Sequence, residues 1–303
     1  MMGPGIALTL ALGGVRATIL SRTAASAERG LAKAHEQLAL LRTHELAPAA
    51  NLSQASQLLG ASADFNASIA QADLVIESAP EDLAFKQELF ARIDQLAKPE
   101  AALASNTSGL SITAIQSACG RPNRVITTHF WNPPHLMPLV EIVKGAKTDP
   151  DLAVSLKELL TRCGKTAIIV KRDTPGQLGN RLQMALVREA IHIVEQGIAD
   201  AEDVDLCAKS GFGLRLPVYG ILEHQDMVGL DMGLSIVDYV SRDLNNQPRA
   251  PQLMHDLVHQ GKLGVKSGHG FYDWSTRNAD QVRARRDSFV IDFLKRWRKP
   301  ENA

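Results

Sequence analysis

His129 and Glu141 are the residues of this sequence whose types and spacing most suggest chemistry. His129 ends the run Val125 to Phe130, and Glu141 lies in a second apolar run, Leu136 to Val143. Between them Pro133 and Pro134 fix a turn. If the two runs fold back on each other, the carboxylate meets the imidazole. A carboxylate on one ring nitrogen orients the ring and raises its basicity, leaving the other nitrogen to move a substrate proton. The same spacing fits a satisfied core histidine and a glutamate in a surface pair, and spacing alone does not choose between them.

Such a pair needs a scaffold, and the flanking pattern predicts one. Strand-like runs at 15–20, 73–79, 102–105, 125–130, 136–143 and 166–170 are separated by helical patterns at 24–41, 82–97 and 149–163. Over 82–97, Leu83, Phe85, Leu89, Phe90, Ile93 and Leu96 recur at helical spacing, and Pro99 ends the pattern. Strands alternating with helices predict an α/β fold with a doubly wound, mostly parallel sheet. In such a sheet, ligands sit outside the carboxyl ends of the strands. Ser21-Arg22, Glu77 to Glu81, Ser105 to Ser108 and His129 all fall at such ends.

After Asp173-Thr174-Pro175-Gly176 strand-like runs almost vanish. Helical patterns follow at 177–196, 201–209, 217–244, 250–260 and 279–299. The expected division is therefore 1–172, a dinucleotide-binding type of domain, and 173–303, all α.

The opening Met1-Met2-Gly3-Pro4-Gly5 runs into an apolar helix. It lacks the basic residues and cleavage site of a signal peptide. A dinucleotide-binding unit is strand, glycine-rich turn, helix, strand, with a GxGxxG fingerprint. Gly3 can stand as its third glycine, with Gly5, Ala7 and Ala11 letting the helix approach a sheet closely. The first strand and the first two glycines are then missing. A start placed too far downstream, a shortened protein, and an ordinary helix with no phosphate role all remain open.

Composition narrows the classes. The chain has 303 residues, 33 Lys plus Arg against 33 Asp plus Glu, and 45% hydrophobic residues. A neutral chain argues against a nucleic-acid partner, which needs a basic surface. No apolar run reaches the ~18 residues of a membrane span. Cys119, Cys163 and Cys207 are scattered and odd in number. They form no disulfide framework, which predicts a reducing, cytoplasmic setting. No HExxH or paired Cys–His spacing is present, so no metal is expected. No GxSxG elbow is present either, so the motif of a serine hydrolase is missing.

From Gly3 almost to the end, the chain resembles the L-3-hydroxyacyl-CoA dehydrogenase family, including 3-hydroxybutyryl-CoA dehydrogenases. The resemblance is carried by ordered blocks: Val75 to Lys86, Ala104 to Leu110, His129-Phe130-Trp131-Asn132-Pro133-Pro134, Leu139-Val140-Glu141, Asp173 to Gly176 with Gly179-Asn180-Arg181, and Lys266 to Tyr272. It implies an NAD-dependent oxidoreductase of fatty-acid metabolism. The fold implied is a Rossmann-type domain followed by a helical domain that forms a homodimer.

By residue match, His129 is the expected general acid/base and Glu141 its orienting carboxylate. Ser108 and Asn180 are expected to hold the substrate oxygen, with Asn132 supporting the same pocket. Glu81, Lys86 and Asn106 are expected on the cofactor side, together with Gly3.

Two departures qualify this. Where the family usually carries an acidic residue for the adenosine ribose, this chain has Ser21 and then Arg22, which favours a 2′-phosphate and a lean from NAD to NADP. The segment Pro217 to Asp226 lacks the Gly-Pro-Phe-like sequence expected near the substrate mouth. A relative acting on a non-CoA hydroxy acid, a carnitine-like compound or an aldehyde is therefore the alternative. A truncated, non-catalytic dimeric module is the second alternative.

Overall fold

The computed structural model describes residues 2–297. They form two compact units, one running to Arg181 and resuming at Ala284, the other spanning Leu182–Arg283.

The first unit opens with α1 (Gly3–Leu12), then β1 (Ala17–Leu20), α2 (Ala24–Thr43), α3 (Ala49–Leu58), β2 (Leu59–Ser62) and α4 (Phe65–Gln71). It continues with β3 (Leu74–Glu77), α5 (Leu83–Leu96), β4 (Ala102–Ser105), α6 (Ile112–Gln116), β5 (Val125–Phe130), β6 (Leu139–Lys144), α7 (Pro150–Arg162) and β7 (Thr166–Val170). The helices start where short polar side chains take up free backbone N–H groups. Thr23 accepts from Ser26 at α2, Asp64 from Ala67 at α4, Asp82 from Phe85 at α5 and Ser111 from Ala114 at α6. The run 43–72 carries no strong periodicity in the sequence, yet it supplies α3, β2 and α4. Their burial is modest, with Leu52, Ala55 and Ile69 as the buried anchors.

The strands make two sheets, β1-β2 and β3-β4-β5-β6-β7. Every neighbouring pair is parallel except β5–β6, which is antiparallel. In a dinucleotide-binding order of 3-2-1-4-5-6, the place between β1 and β3 belongs to the first strand. Among the described residues no strand occupies it.

Alternation along the strands feeds two cores. Leu103 and Val125 join Phe90, Ile93, Ile112 and Ile115 on one face. Their neighbours Ala104 and Ile126 join Ile6, Leu10, Ile19, Ile142, Leu156 and Leu160 on the other. Side chains that alternate between two covered faces are what a doubly wound sheet requires. α1 is apolar around its whole circumference and is buried along Pro4 to Ala11, as such a helix must be.

The second unit is helical. α8 (Gly179–Glu195) leads in from the first unit, followed by α9 (Ala201–Ser210), α10 (Phe212–Arg215), α11 (Ile221–Val228), α12 (Leu230–Val240) and α13 (Gln252–His259). The single helix expected over 217–244 is instead broken at Gly229, whose φ of 101° favours glycine. α14 (Ala279–Trp297) ends the described chain, and Arg298 and Lys299 of the expected helix lie outside the described residues, as does Met1. Ile291 and Leu294 of α14 pack in the first unit against Leu8, Leu38, Leu41, Leu46 and Leu52. The second unit buries little of its own apolar surface. Leu222, Met227, Leu230, Leu234 and Tyr239 are all exposed.

Candidate active site

The site begins with strand register. β5 and β6 run antiparallel, and His129 is the direct partner of Glu141. Directly opposed residues project from the same face of an antiparallel pair, so their side chains meet. His129 Nδ1 lies 2.9 Å from Glu141 Oε2. Both side chains are buried, Glu141 completely.

Glu141 is held from four directions. Its Oε1 accepts the backbone N–H groups of Leu178 at 3.0 Å and Gly179 at 2.8 Å. Its Oε2 accepts the Trp131 indole N–H at 3.1 Å besides facing His129. Burial by itself raises a carboxyl group, but the bonds from His129, Gly179, Trp131 and Leu178 outweigh it and hold Glu141 below its ordinary value. An ionised carboxylate favours the proton on Nδ1, which leaves Nε2 the ring nitrogen able to exchange a proton.

Two loops are tied together beside this pair. Asn180 Nδ2 donates to the Ser108 carbonyl at 2.7 Å, and Gln177 Nε2 donates to the Thr107 carbonyl at 2.8 Å. Asp173 Oδ2 accepts from the Ser111 hydroxyl at 2.5 Å and the Thr113 N–H at 2.9 Å. Ser108 and Asn180, expected to work together, are thus in contact, through the Ser108 backbone. Asn132 is exposed, next to the turn prolines, and no hydrogen bond joins it to His129, Ser108 or Asn180 among the described residues.

The remaining expected residues form an organised group at the ends of β3 and β4. Glu81 Oε1 accepts from Thr107 Oγ1 at 2.5 Å, Ser108 N at 2.9 Å and Gly109 N at 3.1 Å. Burial works against its charge, but these bonds and Lys86 keep its carboxyl low. Lys86 is fully buried, with Nζ 2.6 Å from Glu77 Oε1 and 3.6 Å from Glu81 Oε2. Glu77 Oε2 in turn accepts from Ser105 Oγ at 2.7 Å. Asn106 Oδ1 accepts the Phe130 N–H at 2.8 Å, anchoring the backbone beside His129. His135 is no rival base: burial and nearby Lys165 push it down to about 4.

Gly3, Ser21 and Arg22 sit elsewhere, at the N-terminus of α1 and just past β1. A side chain placed at Gly3 meets nothing within 4 Å, so the backbone there is open to close approach. A ten-residue helix offers its free N–H groups and dipole at that end. Arg22 is exposed and Ser21 half-buried. These residues fit a dinucleotide with its phosphates at the helix end and its adenosine end near Ser21. Among the described residues no group of three or more His, Cys, Asp or Glu is placed to hold a metal ion. No helix there is long and apolar enough to cross a membrane.

Trp131 and Gln177 are site residues that type and spacing did not single out. Trp131 lies within the segment His129 to Pro134, where residue type alone gives its indole N–H no partner. Gln177 is buried with φ of 54°, in the left-handed region where glutamine is uncommon, and no sequence signal announces that.

Comparison with known proteins gives the family. Residues 1–174 match the family model for the 3-hydroxyacyl-CoA dehydrogenase NAD binding domain. Residues 176–274 match the model for the C-terminal domain of the same enzymes. The 5-formyl-3-hydroxy-2-methylpyridine 4-carboxylate 5-dehydrogenase of Mesorhizobium japonicum is 33% identical over 94% of this chain and 91% of its own. A probable 3-hydroxybutyryl-CoA dehydrogenase of Bacillus subtilis is 37% identical over 92% of this chain and 96% of its own.

Among solved structures, a 5-formyl-3-hydroxy-2-methylpyridine 4-carboxylic acid 5-dehydrogenase, described as an NAD+ dependent dismutase, superposes with a TM-score of 0.89. It is 32% identical, with 97% of this chain and 95% of that one covered. The (S)-3-hydroxybutyryl-CoA dehydrogenase of Ralstonia eutropha superposes at 0.74, with 30% identity, 90% of this chain and 95% of that one covered. With both of its domains matched by one family's models, the chain belongs to the 3-hydroxyacyl-CoA dehydrogenase family and is an NAD-dependent oxidoreductase.

Proposed function

We propose that this protein interconverts a 3-hydroxyacyl-CoA, or a similar 3-hydroxy acid, and its 3-oxo form, with His129 as general acid/base. The observation that carries this reading is the 2.9 Å contact between His129 Nδ1 and the buried, ionised Glu141. When bound, the nicotinamide cofactor supplies the hydride acceptor or donor. His129 Nε2 takes the hydroxyl proton during oxidation, and Glu141 stabilises the charge that develops on the ring. In reduction the protonated ring returns that proton to the carbonyl oxygen. Ser108 and Asn180, tied to each other at 2.7 Å, hold the substrate oxygen near the ring, with Asn132 at the edge of the same pocket. Glu81, Lys86 and Asn106 set the loops on the cofactor side, and Ser21-Arg22 favours NADP over NAD.

The second reading is a non-CoA substrate, an aldehyde or a small hydroxy acid. What favours it is the closer superposition on the pyridine carboxylate dehydrogenase, 0.89 against 0.74 for the hydroxybutyryl-CoA enzyme. Initial rates with acetoacetyl-CoA and free 3-oxo acids, each with NADH and NADPH, and with aromatic aldehyde carboxylates, each with the oxidised and the reduced forms of both cofactors, separate the readings. Turnover confined to the CoA thioester supports the first, and turnover confined to free acids or aldehydes supports the second. No turnover by any member of the panel discards both.

The protein acts as a homodimer through its helical unit. That unit leaves Leu222, Met227, Leu230, Leu234 and Tyr239 in solvent, and a second copy covering such a surface removes the cost of exposing it. Sedimentation as a monomer at micromolar concentration overturns this.

A further inference from the structure

We propose that Trp131 is a positioning residue that acts through Glu141: its indole N–H occupies the carboxylate oxygen on which His129 depends and limits how strongly that oxygen supports a charged ring. The inference rests on the proposed role of His129. Its physical basis is the sharing of one oxygen by two N–H donors, His129 at 2.9 Å and Trp131 at 3.1 Å. With Leu178 and Gly179 donating to Oε1, the carboxylate accepts four N–H bonds, two on each oxygen. A carboxylate already receiving three neutral donors is a weaker acceptor for a fourth. The indole N–H also brings the positive end of its dipole close to the ring that is to become cationic.

The indole is held in place for this purpose. A side chain at Gly179 would stand 2.4 Å from Trp131 Cζ2, so only a bare backbone leaves room for the ring. The two rings lie 5.7 Å apart and tilted by 45°, so Trp131 flanks the imidazole and does not stack on it. Phenylalanine would fill most of the same volume and lack the donor.

Other charges around the pair are engaged elsewhere. On β3 and α5, Glu77 and Lys86 pair with each other, and Glu81 is bound to the 107–109 loop. On the segment after β7, Asp173 is bound to Ser111 and Thr113, and Arg181 reaches the Pro175 carbonyl. Glu141 is the one charged group bonded to either ring among the described residues.

The test is Trp131→Phe, read by the pH profile of kcat for alcohol oxidation and by an NMR titration of the His129 ring in the free protein. Freed of its competitor, Oε2 supports the protonated ring better. The acid limb and the NMR midpoint both move up, by about half to one pH unit. A purely structural role lowers activity without moving either midpoint, and unmoved or lowered midpoints overturn the proposal. Should Trp131→Phe not fold, benzothienylalanine at position 131 replaces the N–H with sulfur at nearly the same shape, with the same outcomes. The NMR midpoint reports on Trp131 even if His129→Gln leaves turnover intact, so failure of this proposal and failure of the catalytic reading are distinguishable.

Discussion

Asn180 donates its side-chain amide to the backbone carbonyl of Ser108 at 2.7 Å, joining the start of α8 to the segment after β4, 72 positions away in the chain. The segment at Ser108 follows β4, and the one at Asn180 carries the Leu178 and Gly179 N–H groups that hold Glu141. On the function proposed above, the bond couples the place for a substrate oxygen to the carboxylate bonded to His129. Asn180→Ala removes the donor and leaves the loops to Gln177 and Asp173. Positioning losses of this kind cost roughly tenfold in kcat/KM, about 1.4 kcal/mol. Asn180→Asp sets an acceptor against a carbonyl and is expected to be worse than Ala. Equal kinetics for all three proteins would show that the tie is incidental.

His129→Gln keeps a polar side chain in the buried position and removes the group that can carry a proton at neutral pH. Turnover should fall by roughly 10²–10⁴-fold, the range for loss of a general acid or base. Gly3, Ser21 and Arg22 lie on other elements, so NAD(P)H binding read by fluorescence should be nearly unchanged. Full turnover in the variant removes His129 from the chemistry.

Glu141 also ties stability to pH. Its folded-state carboxyl lies below its ordinary value, because burial is outweighed by the bonds from His129, Gly179, Trp131 and Leu178. A depressed carboxyl group stabilises the fold above its unfolded value of roughly 4.3, and that stabilisation is lost as pH falls through the folded value. Glu141→Gln should be less stable than wild type at pH 7, with the gap narrowing below about pH 4.3. Denaturant midpoints at pH 7 and in that acid window measure it. A gap that stays constant or widens in acid contradicts the ionised, four-donor arrangement.

Gly179 is where backbone, indole and carboxylate crowd together. A methyl group there would be 2.4 Å from Trp131 Cζ2 and 3.3 Å from Glu141 Oε2. Overpacking of this kind costs about 1–3 kcal/mol. Gly179→Ala should therefore lower the thermal midpoint and displace the indole, with turnover falling as Glu141 loses its ordered donors. A variant with native stability and turnover would show that the loop yields without effect.

How much of this could be read from residue types follows from the range of each interaction. The His129–Glu141 pair was legible only as one of two outcomes, because a proline-fixed turn lets two apolar runs fold back without setting their pairing, which the antiparallel register of β5 and β6 decides. The strands β3 to β7 were legible, since each is a compact apolar run with a polar loop at its carboxyl end. The segment 43–72 was not, because α3, β2 and α4 bury few residues and so leave a faint periodic trace. Nor was the break at Gly229, where a single glycine with φ of 101° interrupts an otherwise continuous helical pattern. Trp131 and Gln177 act through bonds to partners brought close by the fold, Glu141 and the Thr107 carbonyl. Spacing along the chain carries no information about such partners.

The proposed lean toward NADP rests on two residues at the end of β1. Ser21 is held there by its backbone N–H, which donates to the Ser62 carbonyl at 3.1 Å, so its side chain is free to face a ligand. A carboxylate at this place would accept from both ribose hydroxyls and repel a 2′-phosphate, whereas a hydroxyl beside the exposed Arg22 guanidinium does neither. Ser21→Asp supplies the carboxylate without disturbing the strand. It should raise the ratio of kcat/KM for NAD over NADP by roughly tenfold or more, since a charge-assisted bond is gained with one cofactor and a like-charge contact with the other. Arg22→Ala should move the ratio the same way by weakening NADP alone. An NAD-to-NADP ratio unmoved by either substitution places the adenosine end of the cofactor away from β1.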